Sequence, residues 1–296
     1  MGDATARELG EFGLIAAVTA RLPRNDDVLL GPGDDAAVVA ASGGRVVATT
    51  DVLVEHVHFR RDWSTAYDVG RKAAAASLAD VAAMGGVGTA LLVGLAAPPD
   101  LPVQWALDLA DGLRDECDLV GASVVGGDTV TADQVVVSVT ALGRVDRWVT
   151  RDGARPGDVV LLAGRLGHSA AGLRLLQQGV TDGPLVEAHR RPEPPYAAGP
   201  MLAAAGATAL CDVSDGLVND LGHIARASGV RIELDSALLH DDAVALSDVL
   251  GGGEDHALVA TAAGPVEGAR VIGRVLEGAG VTVDGEAVTA GWEHFT

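Results

Sequence analysis

Residues 207–234, ATALCDVSDGLVNDLGHIARASGVRIEL, decide the fold class. Ala207 to Cys211 reads as a strand, Leu217 to Ser228 as a helix and Val230 to Leu234 as a second strand, an alternation that belongs to α/β architecture. The junction Asp212-Val213-Ser214-Asp215-Gly216 carries strand into helix, and Ser214 or Asp215 suits the N-cap. Upstream, a turn at Arg155-Pro156-Gly157-Asp158 precedes a strand over Val159 to Ala163 and a helix over Ser169 to Gln178. Thr181 to Pro195, rich in Pro and charge, reads as loop, and Tyr196 to Ala205 as helix. Downstream, Gly251-Gly252-Gly253 turns into a strand over His256 to Thr261, with a helix over Val266 to Ala279 and a closing strand expected after it.

The first half mixes paired strands with helices. Val28 to Leu30, Ala36 to Ala40 and Arg45 to Thr50 read as strands, the last two joined as a hairpin by Ser42-Gly43-Gly44. Thr65 to Met84 is an Ala-rich helix stopped by Gly85-Gly86, and Pro102 opens a second helix to about Asp118. Ala90 to Leu95, Ser123 to Val125 and Val135 to Arg144 return to strand. Two α/β domains are expected, residues 1–148 and 149–296, and no short repeat interrupts them.

Composition narrows the function. The chain is 48% hydrophobic but 3% aromatic, so Val, Leu and Ala must build the core. The 41 acids outnumber 21 Lys plus Arg for a net charge of −20, and Lys72 is the single lysine, a balance that repels nucleic acid and anionic membranes. No apolar run is long enough to span a bilayer, and Met1 to Gly10 lacks the pattern of a signal peptide, so a soluble cytoplasmic protein is expected. Cys117 and Cys211 have no paired spacing and read as reduced thiols.

The acids lie in motifs beside Gly and Thr: Gly33-Asp34-Asp35, Thr49-Thr50-Asp51, Gly126-Gly127-Asp128-Thr129, Asp212-Val213-Ser214-Asp215 and Gly253-Glu254-Asp255, each read as standing at a strand end. Asp80 sits in a helix that offers a carboxylate no propensity reason. Each motif alone is ordinary turn or cap chemistry; together they converge as α/β sheets make strand ends converge on ligands. Oxygen ligands without His or Cys partners suit Mg²⁺, which shares its shell with water and phosphates. Several Mg²⁺ ions would bridge the acids to a polyanion that the acids alone repel. The P-loop and protein-kinase signatures are absent, so ATP would need another scaffold.

Read in order, Gly33-Asp34-Asp35-Ala36-Ala37, Thr49-Thr50-Asp51 with His58-Phe59, the stretch Ser77 to Gly85 and Gly126-Gly127-Asp128-Thr129 resemble the N-terminal half of the thiamine-monophosphate kinase family. Arg151 to Asp158, Asp212 to Leu217, Gly252 to Asp255 and Gly291-Trp292-Glu293-His294-Phe295 resemble its C-terminal half. The resemblance implies a mixed α/β fold: an N-terminal domain with strands that form a β-barrel in a homodimer, flanked by helices, and a C-terminal α/β sandwich domain closing the active site. It implies ATP and thiamine monophosphate as substrates, thiamine diphosphate and ADP as products, and several Mg²⁺ ions. Matched position by position, Asp34, Thr49, Thr50, Asp51, Asp80, Asp128, Asp212 and Asp215 correspond to metal ligands. Gly127, Asp128, Arg151 and Ser214 correspond to ATP contacts, and His58, Glu254 or Asp255, and Trp292 to the thiamine phosphate.

Two positions depart from the family pattern. An aromatic nucleotide contact before Gly126 is replaced by Asp111 or its neighbours, and the Tyr-Glu that follows Gly-Glu-Asp is His256-Ala257. By residue type alone, His58 is a structural histidine or a substrate contact, and Trp292 is a packing residue or a flat partner for a cationic ring. Since the acceptor is an anionic phosphate oxygen, direct in-line transfer is expected, with Asp51, Asp80, Asp128 and Arg151 as electrostatic and positioning groups and no covalent residue. Rival readings are an aminoimidazole ribonucleotide synthetase-like ligase and a non-catalytic nucleotide- or metal-binding protein. The Trp-x-His-Phe ending argues against the first, and the full set of acids against the second.

Overall fold

The computed structural model describes Leu14 and residues 17–23, 25, 26, 28–30 and 38–292. These divide into two compact units: one holds Val87–Arg144 and the described residues up to Val81, the other Ala82–Gly86 and those from Val145 onward. Among the described residues no helix is long and apolar enough to cross a membrane.

In the first unit β1 (Val28–Leu30) and β2 (Val38–Val39) pair antiparallel as a separate ribbon. The main sheet has the order β3-β6-β4-β5, from β3 (Val47–Val54), β4 (Val87–Ala97), β5 (Ser123–Thr131) and β6 (Val136–Arg144). β6 is antiparallel to β3 and β4, while β4 and β5 run parallel, joined through a helix as parallel strands require. Helix α1 (Ala66–Ala83) starts from a reciprocal cap: Thr65 N donates to Asp68 Oδ2 at 2.9 Å, and Asp68 N to Thr65 Oγ1 at 3.2 Å. It crosses α2 (Val103–Asp118) at two glycines. A Cβ at Gly70 would lie 2.2 Å from the Leu109 carbonyl oxygen, and one at Gly112 would lie 2.1 Å from that of Tyr67. Leu91, Val137, Val139 and Ala141 bury one face of the sheet, whereas Val52, Leu92 and Val130 on the other are 47%, 38% and 53% exposed.

The second unit carries seven strands in the order β13-β12-β9-β11-β7-β10-β8. They are β7 (Val159–Ala163), β8 (Ala209–Val213), β9 (Arg231–Leu234), β10 (Ala257–Ala262), β11 (Arg270–Leu276), β12 (Gly280–Val283) and β13 (Glu286–Ala287). All neighbours are antiparallel except β9 and β12. The helices are α3 (His168–Gln177), α4 (Pro184–Arg190), α5 (Ala198–Ala204), α6 (Leu217–Ser228) and α7 (Leu246–Gly251). Side chains alternate between two buried layers. Val160, Leu162, Cys211, Val259 and α6 residues Leu221 and Ile224 form one, and Leu161, Leu210, Leu258, Ala260 and α5 residue Leu202 the other. Burial on both faces is why β7 reads as an unbroken apolar run and β10 as one broken only by the buried Thr261.

The structure corrects several expectations. β2 and β3 do not form a hairpin, because β2 pairs with β1 and β3 with β6. Neither Asp51 nor Asp128 stands at a strand end. Asp and Gly are poor strand formers and suggested a stop there, but ladder pairing carries β3 on to Val54 and β5 on to Thr131. Residues 184–190 are helical, with Pro184 in the first turn where its missing N–H costs nothing. Residues 270–276 are a strand, and a bulge explains the misreading. The register passes from Val271 to Gly273, so Ile272 and Val275 reach the same buried layer three residues apart, which mimics a helical spacing. Short α7 was not foreseen. Each sheet is open, and none closes into a barrel among the described residues.

Candidate active site

In the first unit, period two places Thr49 and Asp51 on the same face of β3, and helical spacing places Ser77 and Asp80 on the same face of α1. The two pairs meet as rungs. Thr49 Oγ1 donates to Asp80 Oδ2 at 2.6 Å, and Ser77 Oγ donates to Asp51 Oδ2 at 2.7 Å. Both carboxylates are half-buried and accept from these hydroxyls. Thr50 faces the other way, its hydroxyl 3.0 Å from that of its cross-strand partner Thr140. Asp128 is exposed on β5, in the row Val52–Ser138–Gly94–Asp128 of the same open face, and its Oδ1 accepts the Thr129 N–H at 2.8 Å. Gly127 has a structural cause as well: a Cβ there would lie 1.8 Å from the Val93 carbonyl oxygen.

His58 follows β3 in a tight turn. Its Nδ1 accepts the Val54 N–H at 3.0 Å, so the ring proton sits on Nε2. The carbonyl of the same residue accepts from Lys72 Nζ at 3.1 Å, and Lys72 is buried. Asp111, which stands in the region of the aromatic nucleotide contact, pairs with Arg114 and Arg21. Asp34 and the residues after Trp292 lie outside the described residues.

The second unit gathers its candidates where the end of β8 lies beside the start of β10. The Ala257–Val213 pairing continues outward as His256 N donating to Val213 O at 3.0 Å and Glu254 N to Ser214 O at 2.8 Å. Trp292 N donates to Asp215 O at 3.0 Å, which fixes the 60% exposed indole beside the same junction. Asp212 is buried, and its Oδ2 lies 3.1 Å from His256 Nδ1. Neither Ser214 nor Asp215 caps α6, because Gly216 takes that position without a side-chain bond. The charge of Arg151 acts on Asp220, and its carbonyl accepts from Ser228 Oγ at 2.9 Å.

Asp255 and Glu254 have separate surroundings. Asp255 is buried and accepts two amides at the start of α3, Gly167 N at 2.6 Å and Ser169 N at 2.8 Å. Burial raises its pKa even against those two donors. Glu254 is half-buried, with its carboxylate 3.7 Å from His189 Nδ1.

Ser77, Asp220 and His256 are the residues that sequence reasoning did not assign. Ser77 stood in a quoted motif one helical turn before Asp80. Asp220 carries the signal of a carboxylate on the buried stripe of an amphipathic helix. Burial, with the charge of Asp212, lifts its pKa to about 7, and the Asp215 N–H and Arg151 oppose that rise. No three of His, Cys, Asp and Glu gather into a metal cage among the described residues. Oxygen donors in ones and twos fit Mg²⁺, whose shell water and phosphate complete, and the crowding of Asp212, Asp215 and Asp220 is the charge imbalance that a cation relieves.

Two family models match the chain: "AIR synthase related protein, N-terminal domain" over residues 33–145 and "AIR synthase related protein, C-terminal domain" over 155–286. Thiamine-monophosphate kinase of Mycobacterium tuberculosis is 50% identical over 98% of this chain and 93% of its own. Among solved structures, thiamine-monophosphate kinase from Stenotrophomonas maltophilia K279a is 36% identical with a TM-score of 0.81, covering 93% of this chain and 96% of that one. AaThiL complexed with AMPPCP and TMP is 34% identical with a TM-score of 0.79, covering 98% of both. With two domain models in order and half its residues identical along nearly its whole length, this chain belongs to the thiamine-monophosphate kinase family.

Proposed function

We propose that this protein transfers the γ-phosphoryl group of ATP to the phosphate of thiamine monophosphate, giving thiamine diphosphate and ADP. The observation that carries this reading is the 50% identity to a thiamine-monophosphate kinase across 98% of the chain. The relative complexed with AMPPCP and TMP supports the same two substrates.

The acceptor phosphate oxygen is already anionic at neutral pH, so the residues need to align and neutralise rather than remove a proton. The proposed carboxylates would hold Mg²⁺, which would supply positive charge to offset the charge that builds in transfer. Asp51 and Asp80, oriented by Ser77 and Thr49, are the ligand set of the first unit's inner face; Thr50 and Asp128 belong to its open face. Asp212 and Asp215 are the set of the second unit, and Asp34 completes the proposed ligands by its motif. Arg151 supplies a fixed positive fork to phosphate, with Gly127 and Ser214 as further nucleotide contacts. Asp255 serves the α3 N-terminus, which leaves Glu254, with His58 Nε2–H and the Trp292 indole, to the thiamine phosphate. Steady-state turnover of ATP, Mg²⁺ and thiamine monophosphate to thiamine diphosphate tests the assignment; turnover of a formyl-amidine ribonucleotide instead would support the ligase reading.

The active form is a homodimer, on the reading that a second copy covers the open sheet face of Val52, Leu92 and Val130. β3 and β5 are the two edges of that sheet, three interstrand steps or about 14 Å apart. Closure of edge on edge into a barrel would bring the β3 edge of one copy, with Thr50 and Asp51, beside the β5 edge of the other, with Asp128. Mixing two inactive variants, Asp51→Asn and Asp128→Asn, would then restore activity that neither has alone, and a mixture as inactive as its components would contradict the shared arrangement.

A further inference from the structure

We infer that His256 is a positioning residue, which donates from Nδ1 to Asp212 and so fixes that carboxylate for a divalent cation. The inference rests on the reading of Asp212 as a cation ligand. His256 has a left-handed backbone, φ 52°, and is 7% exposed; Glu254, two residues earlier, is also left-handed at φ 63°. Left-handed residues other than glycine are uncommon and persist where their surroundings over-determine them. Here the surroundings are visible: the Glu254 and His256 amides are tied to the Ser214 and Val213 carbonyls, and both oxygens of the intervening Asp255 are taken by the start of α3.

That conformation turns the imidazole back over β8, where Nδ1 lies 3.1 Å from Asp212 Oδ2. A carboxylate only accepts, so Nδ1 carries the proton. The bond takes Oδ2, and no protein donor meets Oδ1 among the described residues, so Oδ1 is the oxygen presented to a cation. Without that donor, no hydrogen bond would hold the Asp212 carboxylate beside Asp220, with which it interacts by charge. A hydrogen-bonded partner behind a metal-ligating side chain commonly changes metal affinity by about 10–100-fold.

Mn²⁺ binding to the full chain, followed by electron paramagnetic resonance with a non-hydrolysable ATP analogue present, separates this role from a purely structural one. Asp212→Asn first defines the class of Mn²⁺ sites that depends on that carboxylate. His256→Gly accepts the left-handed backbone without a donor and should weaken this class at least about 10-fold. His256→Asn tolerates the same backbone and places an amide N–H where Nδ1 stands, so it should stay within about 3-fold of the parent. Wild-type Mn²⁺ affinity in the glycine variant, or an asparagine variant that melts normally but binds as weakly as Asp212→Asn, overturns the inference. Should the glycine variant fold poorly, the long-range ¹H–¹⁵N spectrum of the parent decides: an Nδ1–H tautomer at His256 agrees, and Nε2–H refutes it. If Asp212→Asn itself binds Mn²⁺ as the parent does, the cation-ligand reading has failed, and that outcome is distinct from a failure of the His256 bond.

Discussion

The first unit holds Thr49, Asp51, Ser77 and Asp80 on a strand and a helix, locked by ladder pairing on one side and a crossed pair of helices on the other. The second unit holds Asp212 near the end of β8 and Asp215, Glu254, Asp255 and His256 on the two segments beyond the ladder, laced together by amide-to-carbonyl bonds and by two left-handed residues. Regular elements fix a side chain by spacing alone, so the first arrangement tolerates loss of a polar contact without loss of fold. The segments of the second have no ladder of their own, and there a side chain such as Asp255 serves structure as much as chemistry.

The comparison predicts opposite outcomes for carboxylates of similar appearance. Asp51→Asn or Asp80→Asn should lower turnover by roughly 10²–10³-fold or more while the melting temperature moves little, as measured by steady-state kinetics and calorimetry. Near-parental turnover in both would remove the first unit's ligand set. Asp255→Ala should instead destabilise the fold: two buried amides lose their acceptor, at a cost of about 2–4 kcal/mol, or roughly 5–10 °C in thermal midpoint. An unshifted midpoint would show that the α3 N-terminus does not depend on Asp255. Glu254→Gln should raise the KM for thiamine monophosphate about 10-fold, a loss near 1.4 kcal/mol, with the KM for ATP unchanged. A change in the ATP constant alone would move Glu254 to the nucleotide.

The smallest effect concerns pH. Asp220 ionises near 3.9 when unfolded and at about 7 when folded. Between those values the folded chain binds the extra proton, so its stability is full below about pH 4 and falls as pH rises through 7. In EDTA, the melting midpoint of Asp220→Asn should therefore exceed that of the parent by several degrees at pH 8 and approach it as pH falls toward 4. Parallel curves would place Asp220 in a solvated setting.

The legibility of the sequence follows the same division. Regular helices and strands with both faces buried were readable: Leu217–Ser228 and Val159–Ala163 match their expected bounds because apolar periodicity and burial agree there. The strand-end rule failed for Asp51 and Asp128, since pairing with β6 and β4 overrides the low strand propensity of Asp and Gly. The β11 bulge disguised a strand as a helix, because one skipped residue converts a period of two into a spacing of three. In the site, the motifs identified the residue types but not their neighbours. The choice between Glu254 and Asp255 turns on amides at Gly167 and Ser169, and the Asp212–His256 contact on a backbone sign; both depend on segments distant in sequence.

The most direct measurement is a single-turnover reaction of the purified protein with ATP labelled at the γ-phosphate, Mg²⁺ and thiamine monophosphate. The account predicts that the label appears in the terminal phosphate of thiamine diphosphate at the rate it leaves ATP, with none on the protein. Label released only as inorganic phosphate, or carried on the protein before it reaches product, would contradict it.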